Sequence, residues 1–88
     1  MTAKDVLGFM SLGATVREYY RADGNTLKPR YRLFTNEGYL VSQIPSSTWR
    51  AVYRDPRVIE APKDERYWGS TIYKMKDVLN IEIGRAHV

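Results

Sequence analysis

The chain has 88 residues, with 14 lysines and arginines against 10 aspartates and glutamates, and it contains no cysteine. This length corresponds to one small domain over residues 1–88, and a 43% hydrophobic content is sufficient for a compact core. The lack of cysteine excludes disulfides, thiolate catalysis and Cys-containing zinc sites, and the single histidine, His87, cannot form a metal site or a catalytic triad alone.

The predicted elements begin with a helix. Thr2 and Asp5 have the spacing of a capping box, and apolar residues recur at helical intervals as far as Tyr20. We therefore predict a helical N-terminal segment over residues 1–22, with Gly13 marking the position where it could break. The sequence Asp23-Gly24-Asn25 predicts a turn after it.

Residues 30–44 are compatible with two structures. In the first, residues 31–34 and 39–41 are strands of a hairpin joined through Asn36-Glu37-Gly38. In the second, Thr35 caps a short helix that extends to about Gln43. Local propensity slightly favours the hairpin, because Gly38 and two β-branched residues weaken the helix.

Residues 45–58 predict a helix more decisively. The sequence Pro45-Ser46-Ser47-Thr48 is typical of a helix start, because hydroxyl side chains can accept hydrogen bonds from the free N–H groups of a first turn. An apolar stripe of Trp49, Val52 and Tyr53 follows at helical spacing, with Arg50 and Arg54 on another face. Asp55-Pro56 ends the helix.

The remainder of the chain predicts strands. A hairpin with a polar tip is expected to join Val58-Ile59 to Arg66-Tyr67-Trp68. A strand is expected over residues 70–73. Another is expected over residues 77–83, where Leu79, Ile81 and Ile83 alternate with polar residues.

The excess positive charge is concentrated in the middle of the chain. Residues 1–27 and residues 59–88 each carry equal numbers of acidic and basic side chains, so the net charge of +4 arises between Lys28 and Val58. Cations interleaved with aromatic residues are typical of a surface that binds a polyanion, although a solvated basic face has the same composition.

One segment resembles a known family. Residues 47–58, followed by Ala61-Pro62-Lys63 and Arg66-Tyr67-Trp68, are similar to the AlpA and phage-excisionase group of small winged-helix proteins. In that group the recognition helix often begins Ser-Thr, carries an arginine two residues on, and is followed by a corner and a basic wing. The chain departs from this pattern at Asp55-Pro56, which replaces a glycine corner, and at Asp64-Glu65 on the wing tip.

The resemblance, which covers about residues 33–79, implies a winged helix-turn-helix core with a β-hairpin; with the N-terminal helix predicted above, the expected fold is an α+β domain whose winged-helix-like or β-rich core spans residues 30–83. The alternative fold is a helix packed on a small antiparallel β-sheet or barrel. The resemblance further implies a DNA-binding protein of phage or mobile-element origin that bends DNA or regulates transcription. The candidate nucleic-acid-binding residues, from charge, helix position and wing, are Lys28, Arg30, Arg32, Ser47, Thr48, Arg50, Arg54, Arg57, Lys63 and Arg66.

Other functional classes remain open. A small phage-type inhibitor that binds a host protein has a similar composition, and the aromatic residues Trp49, Tyr53, Tyr67, Trp68 and Tyr73 could form either a core or a base-stacking platform. The glycines are scattered, with no phosphate-binding loop, and Asp64 and Glu65 fit a solvated turn better than a catalytic pair. We therefore expect a protein that is not an enzyme and has no cofactor. No apolar run approaches the roughly 18 residues of a membrane span, so we expect no membrane partner. We also expect a cytoplasmic protein. From the charge distribution and the family resemblance, we expect duplex DNA as its main partner.

Overall fold

The computed structural model describes residues 1–62 and 70–76. Within these residues the chain forms two helices and five strands. The helices are α1 (Ala3–Ser11) and α2 (Ser46–Tyr53), and the strands are β1 (Thr15–Asp23), β2 (Thr26–Phe34), β3 (Leu40–Ile44), β4 (Val58–Glu60) and β5 (Thr71–Met75). All pairings are antiparallel, in the order β3-β2-β1-β5-β4. The protein is thus a small α+β domain with an open sheet, which confirms the predicted α+β class.

Both helices cover the same face of the sheet. Tyr31 and Leu33 from β2 and Val16 from β1 form one core cluster with Val6 and Met10 of α1 and with Trp49 and Val52 of α2. Because strand side chains alternate between faces, the residues between these positions lie on the opposite face, which neither of the two described helices covers. We call that side the open face.

The N-terminal helix is shorter than predicted. A capping box between Thr2 and Asp5 opens α1 as expected, with the Asp5 backbone N–H donating to Thr2 Oγ1 at 3.2 Å. The helix ends at Ser11, and Gly13 has a φ of +101°, a left-handed conformation that turns the chain out of the helix. The predicted helix over residues 1–22 is therefore wrong beyond Ser11: residues 12–14 form a turn, and from Thr15 onward β-branched and aromatic residues pair with β2 and β5.

The hairpin interpretation of residues 30–44 is confirmed. Strands β2 and β3 are joined through residues 35–39, and the Thr35 backbone N–H donates to Tyr39 O at 2.8 Å. A strand therefore occupies the place before α2 where a helix-turn-helix has its first helix, and the structure does not confirm the winged helix-turn-helix core.

Helix α2 forms where it was predicted, but its start differs in detail. Pro45 is the N-cap residue and makes no side-chain cap hydrogen bond, so a cap by one of the hydroxyl side chains of residues 46–48, as the sequence predicted, is not formed. Trp49 and Val52 are buried as predicted, whereas Tyr53 is 52% exposed. Residues 63–69, which include the predicted tip at Asp64-Glu65 and the predicted strand Arg66-Tyr67-Trp68, and the predicted strand over residues 77–83 lie outside the described residues.

The β1–β2 hairpin extends past the rest of the sheet. Among the described strands, β5 pairs with β1 only over Val16 to Glu18, and β3 pairs with β2 only over Tyr31 to Phe34. From Tyr19 and Arg30 onward, no other described strand pairs with β1 or β2, and these two strands continue together for about 14 Å, at roughly 3.4 Å per residue. We call residues 19–30 the ribbon arm.

Candidate nucleic-acid interface

Strand alternation places all five basic residues of β1 and β2 on the open face. The register pairs Arg17 with Arg32 and Arg21 with Lys28, and directly opposite residues share a face. The side chains of this basic face are Arg17, Tyr19, Arg21, Lys28, Arg30, Arg32 and Phe34. Five cations and two aromatic rings thus form a continuous surface opposite the helices.

The carboxylates of the same strands do not neutralise the basic face. Glu18 lies on the helix side, where its Oε2 accepts a hydrogen bond from the Tyr31 hydroxyl at 3.0 Å. Asp23, at the end of β1, is the one acidic residue of β1 and β2 on the open face, and it lies 3.2 Å from Lys28 Nζ. The alternation therefore separates positive from negative charge even though the two are mixed along β1.

Two arginines lie directly opposite each other on this face. Like charges in such a pair destabilise a sheet, by roughly 0.2–1 kcal/mol. Here each guanidinium is directed diagonally over an aromatic ring: Arg17 Cζ lies 4.2 Å from the Phe34 centroid and Arg32 Cζ lies 4.5 Å from the Tyr19 centroid. These cation–π contacts move the two charges apart along the strands and hold them in fixed positions.

The predicted binding residues fall on two opposite surfaces. Lys28, Arg30 and Arg32 are brought together on the basic face, as the charge distribution suggested. Arg50 and Arg54 lie on α2, exposed on the helix side of the domain, together with exposed Ser47 and half-buried Thr48. A single flat ligand surface cannot include both sets. The predicted residues Lys63 and Arg66 lie outside the described residues.

The remaining predicted cation, Arg57, forms hydrogen bonds with Asp55, two residues before it in the chain. Its Nη2 donates to Asp55 Oδ2 at 2.7 Å, and its Nε and backbone N–H donate to Oδ1 at 3.0 and 2.9 Å. These hydrogen bonds lower the pKa of Asp55 to about 2 and raise the pKa of Arg57. The pair closes the turn after α2, and its charges largely cancel.

Sequence reasoning missed four members of the basic face, namely Arg17, Tyr19, Arg21 and Phe34. Counting charge by segment cancelled Arg17 and Arg21 against acidic residues that include Glu18, which the fold places on the helix side. The alternation of basic and aromatic residues at odd positions from Arg17 to Arg21, facing even positions from Lys28 to Phe34 across the predicted turn, would have indicated this face.

The aromatic residues of α2 and β5 form a separate cluster on the helix side. The Trp49 ring centroid lies 5.1 Å from that of Tyr31, 5.7 Å from Tyr53 and 4.9 Å from Tyr73. Trp49 is 5% exposed, and burial raises the pKa of Tyr73 to about 12. Trp49 is therefore a core residue and is not available for stacking on bases.

Comparisons with known proteins add no identification. Protein-family models, curated proteins and solved structures each return no match to this chain. In the part of the chain that the structure describes, no three side chains of the metal-ligating types lie close enough together to hold an ion. Across the same residues, neither helix has the length and apolar character needed to traverse a bilayer.

Proposed function

We propose that this protein binds nucleic acid through the basic face of its sheet. The observation that carries the proposal is the segregation of five cations onto one face of β1 and β2, with Asp23 as the one carboxylate of those strands beside them. A surface of this sign attracts the phosphate backbone and gains affinity as counterions are released from it.

The positions of the arginines favour contact with phosphates. Arg17, Arg30 and Arg32 are half-buried, and Arg17 and Arg32 are fixed over aromatic rings. A side chain that is already ordered loses less conformational entropy when it binds. Guanidinium groups also donate two parallel hydrogen bonds to a phosphate.

The basic face is favoured over helix α2 because it carries more cations and because two of its arginines are held over aromatic rings. The two arginines of the helix side, Arg50 and Arg54, lie on an eight-residue helix that follows a strand directly. The basic face has more cations over a wider surface. A role in DNA bending or transcription regulation of a phage or mobile element is the part of this proposal that depends on the family resemblance alone.

The test compares two variants with equal charge loss on opposite surfaces. Arg30→Gln with Arg32→Gln removes two cations from the basic face, and Arg50→Gln with Arg54→Gln removes two from α2. Binding is measured by fluorescence polarisation on a short random-sequence DNA duplex at low salt, after circular dichroism has shown that both variants fold. We expect the first variant to lose affinity by at least tenfold and the second by less than about twofold.

The opposite ranking would return the interface to α2 and support the winged-helix interpretation. If the wild-type protein binds neither duplex nor single-stranded DNA at micromolar concentration, the proposal is wrong. The protein-partner alternative would then be tested at the apolar groove between α1 and β3, which is lined by Phe9, Leu12 and Val41.

A further inference from the structure

We propose that the ribbon arm is the element that reads base sequence, by entering the major groove of B-form DNA while the rest of the basic face holds the phosphate backbone. This inference rests on the proposed function and goes further, because it names the form of the nucleic acid and the part of the chain that recognises it.

The dimensions of the arm fit this groove. The major groove is about 12 Å wide and admits a two-stranded β-ribbon, in which the strands lie about 4.8 Å apart. Neither β3 nor β5 pairs with residues 19–30, so the arm has no third described strand to widen it. Its projection of about 14 Å spans about four base pairs, at 3.4 Å per pair.

The side chains on the open side of the arm match the chemistry of base edges. This side carries an arginine, a lysine, an aspartate and a threonine, at positions Arg21, Lys28, Asp23 and Thr26. Arginine and lysine donate to guanine O6 and N7, aspartate accepts from cytosine N4, and threonine can serve either base type. Every residue from Tyr20 to Lys28 is exposed. By contrast, the guanidinium groups of Arg17 and Arg32 are held over rings in the body of the sheet, a position that suits backbone contacts.

The arm has internal contacts that keep it formed outside the core. An isolated two-stranded hairpin is marginal in water. On the reverse side of this arm, Ala22 lies opposite Leu27 and Tyr20 lies opposite Pro29. At its tip Gly24 has a φ of +66°, as the first central position of a type II′ turn requires, and Thr26 Oγ1 donates to Asp23 O at 3.0 Å. The arm is therefore preorganised for a groove.

The same geometry disfavours two other forms of nucleic acid. The major groove of A-form duplex RNA is deep and narrow, so side chains on a ribbon cannot reach its base edges. Single strands are bound mainly by stacking on open aromatic rings. Both rings of the basic face are half-buried, and a guanidinium covers one face of each.

The decisive variant shortens the arm by deleting Arg21, Ala22, Leu27 and Lys28. Removing two residues from each strand preserves the alternation of faces and keeps the turn, so that Asp23 and Thr26 follow directly after the pair of Tyr20 and Pro29. Arg21→Gln with Lys28→Gln is the matched control, because it removes the same two cations at full arm length and cannot disrupt the turn. Binding is measured on a random-sequence DNA duplex, its separated single strand and a duplex RNA of the same sequence, and both proteins are used to select binders from a randomised duplex pool.

We expect the wild-type protein to prefer the DNA duplex over the other two probes by at least tenfold and to enrich a sequence motif. The shortened variant should lose both the preference and the motif while it keeps weak, salt-sensitive binding. The full-length control should lose affinity and keep part of the preference. The inference is overturned if wild type binds single-stranded DNA or duplex RNA as tightly as duplex DNA, or if the shortened variant retains the motif. Either result leaves the proposed function intact, provided that Arg30→Gln with Arg32→Gln still weakens binding. Absence of binding to all three probes would overturn both proposals.

Discussion

Replacement of Trp49 by alanine tests whether the aromatic cluster is the structural centre of the domain. Trp49 is 5% exposed and lies between the helices and the sheet, with its ring 5.1 Å from Tyr31 and 4.9 Å from Tyr73. Deleting the indole therefore removes apolar burial and three ring contacts at once, and it leaves a cavity that α2 can fill only by moving toward β2.

The expected loss of stability is large for a domain of 88 residues. Truncation of a buried aromatic side chain to alanine destabilises a core by about 3–5 kcal/mol. Whole domains of this size are stable by roughly 5–15 kcal/mol, so the variant retains only part of its stability. At about 4–8 °C per kcal/mol, the melting temperature should fall by roughly 12–40 °C.

The measurement is urea unfolding followed by far-ultraviolet circular dichroism, with Tyr53→Ala as the control. Tyr53 stacks on the same cluster but is 52% exposed, so its truncation should destabilise by about 1 kcal/mol. A loss below about 1 kcal/mol for Trp49→Ala would refute the assignment of this ring to the core. Reduced DNA binding in a variant of unchanged stability would show instead that the ring is a ligand contact.

Three further predictions concern local features. Gly13→Ala should destabilise the domain by about 1–2 kcal/mol, because a φ of +101° is left-handed and an added Cβ would lie 3.4 Å from the Asn36 side chain; urea midpoints measure this. Arg57→Gln should raise the pKa of Asp55 from about 2 toward 3.8 in a carboxyl NMR titration. In wild type this pair stabilises the fold above about pH 4, and its contribution is lost as the pH falls through about 2. Tyr73 should ionise near pH 12 in an ultraviolet titration. Because its pKa is raised from 10.0, its contribution to stability is present below pH 10 and is lost as the pH rises toward 12; ionisation near 10 would contradict its burial.

The local features that sequence predicted best are those determined by adjacent residues. The capping box at Thr2 and Asp5, the turn at Gly24 and the end of α2 before Pro56 depend on short-range geometry, and all three form. The β2–β3 hairpin could also be predicted from local sequence, because a glycine at position 38 favours a turn, and its φ is left-handed, a conformation that does not occur inside a helix.

The errors arose where tertiary pairing overrode a local pattern. Val16 and Tyr20 fit a helical spacing with Val6 and Met10, yet they belong to a strand that has partners on both sides, β2 and β5. The spacing of apolar residues along one segment cannot reveal a strand partner more than fifty residues away, such as Tyr73, which pairs with Val16.

The candidate site was half predicted for the same reason. Charge counting along the chain identified Arg30 and Arg32, which lie on the basic face. It also assigned Arg50 and Arg54 to the same surface, whereas the fold places them on the helix side of the sheet. The face on which a charge lies depends on strand register, and a count of charges along the chain does not use the register that the turn at Gly24 gives the β1–β2 hairpin.

The most direct test of the account is the salt dependence of DNA binding. If the three arginines outside the exposed part of the arm, Arg17, Arg30 and Arg32, contact phosphates, a plot of log affinity against log salt should have a slope near −2.7 for wild type. Arg30→Gln with Arg32→Gln should reduce the magnitude of that slope by about 1.8, and Arg50→Gln with Arg54→Gln should leave it unchanged. A slope near zero for wild type, or a reduction confined to the α2 variant, would contradict the claim that the basic face of the sheet is the nucleic-acid interface.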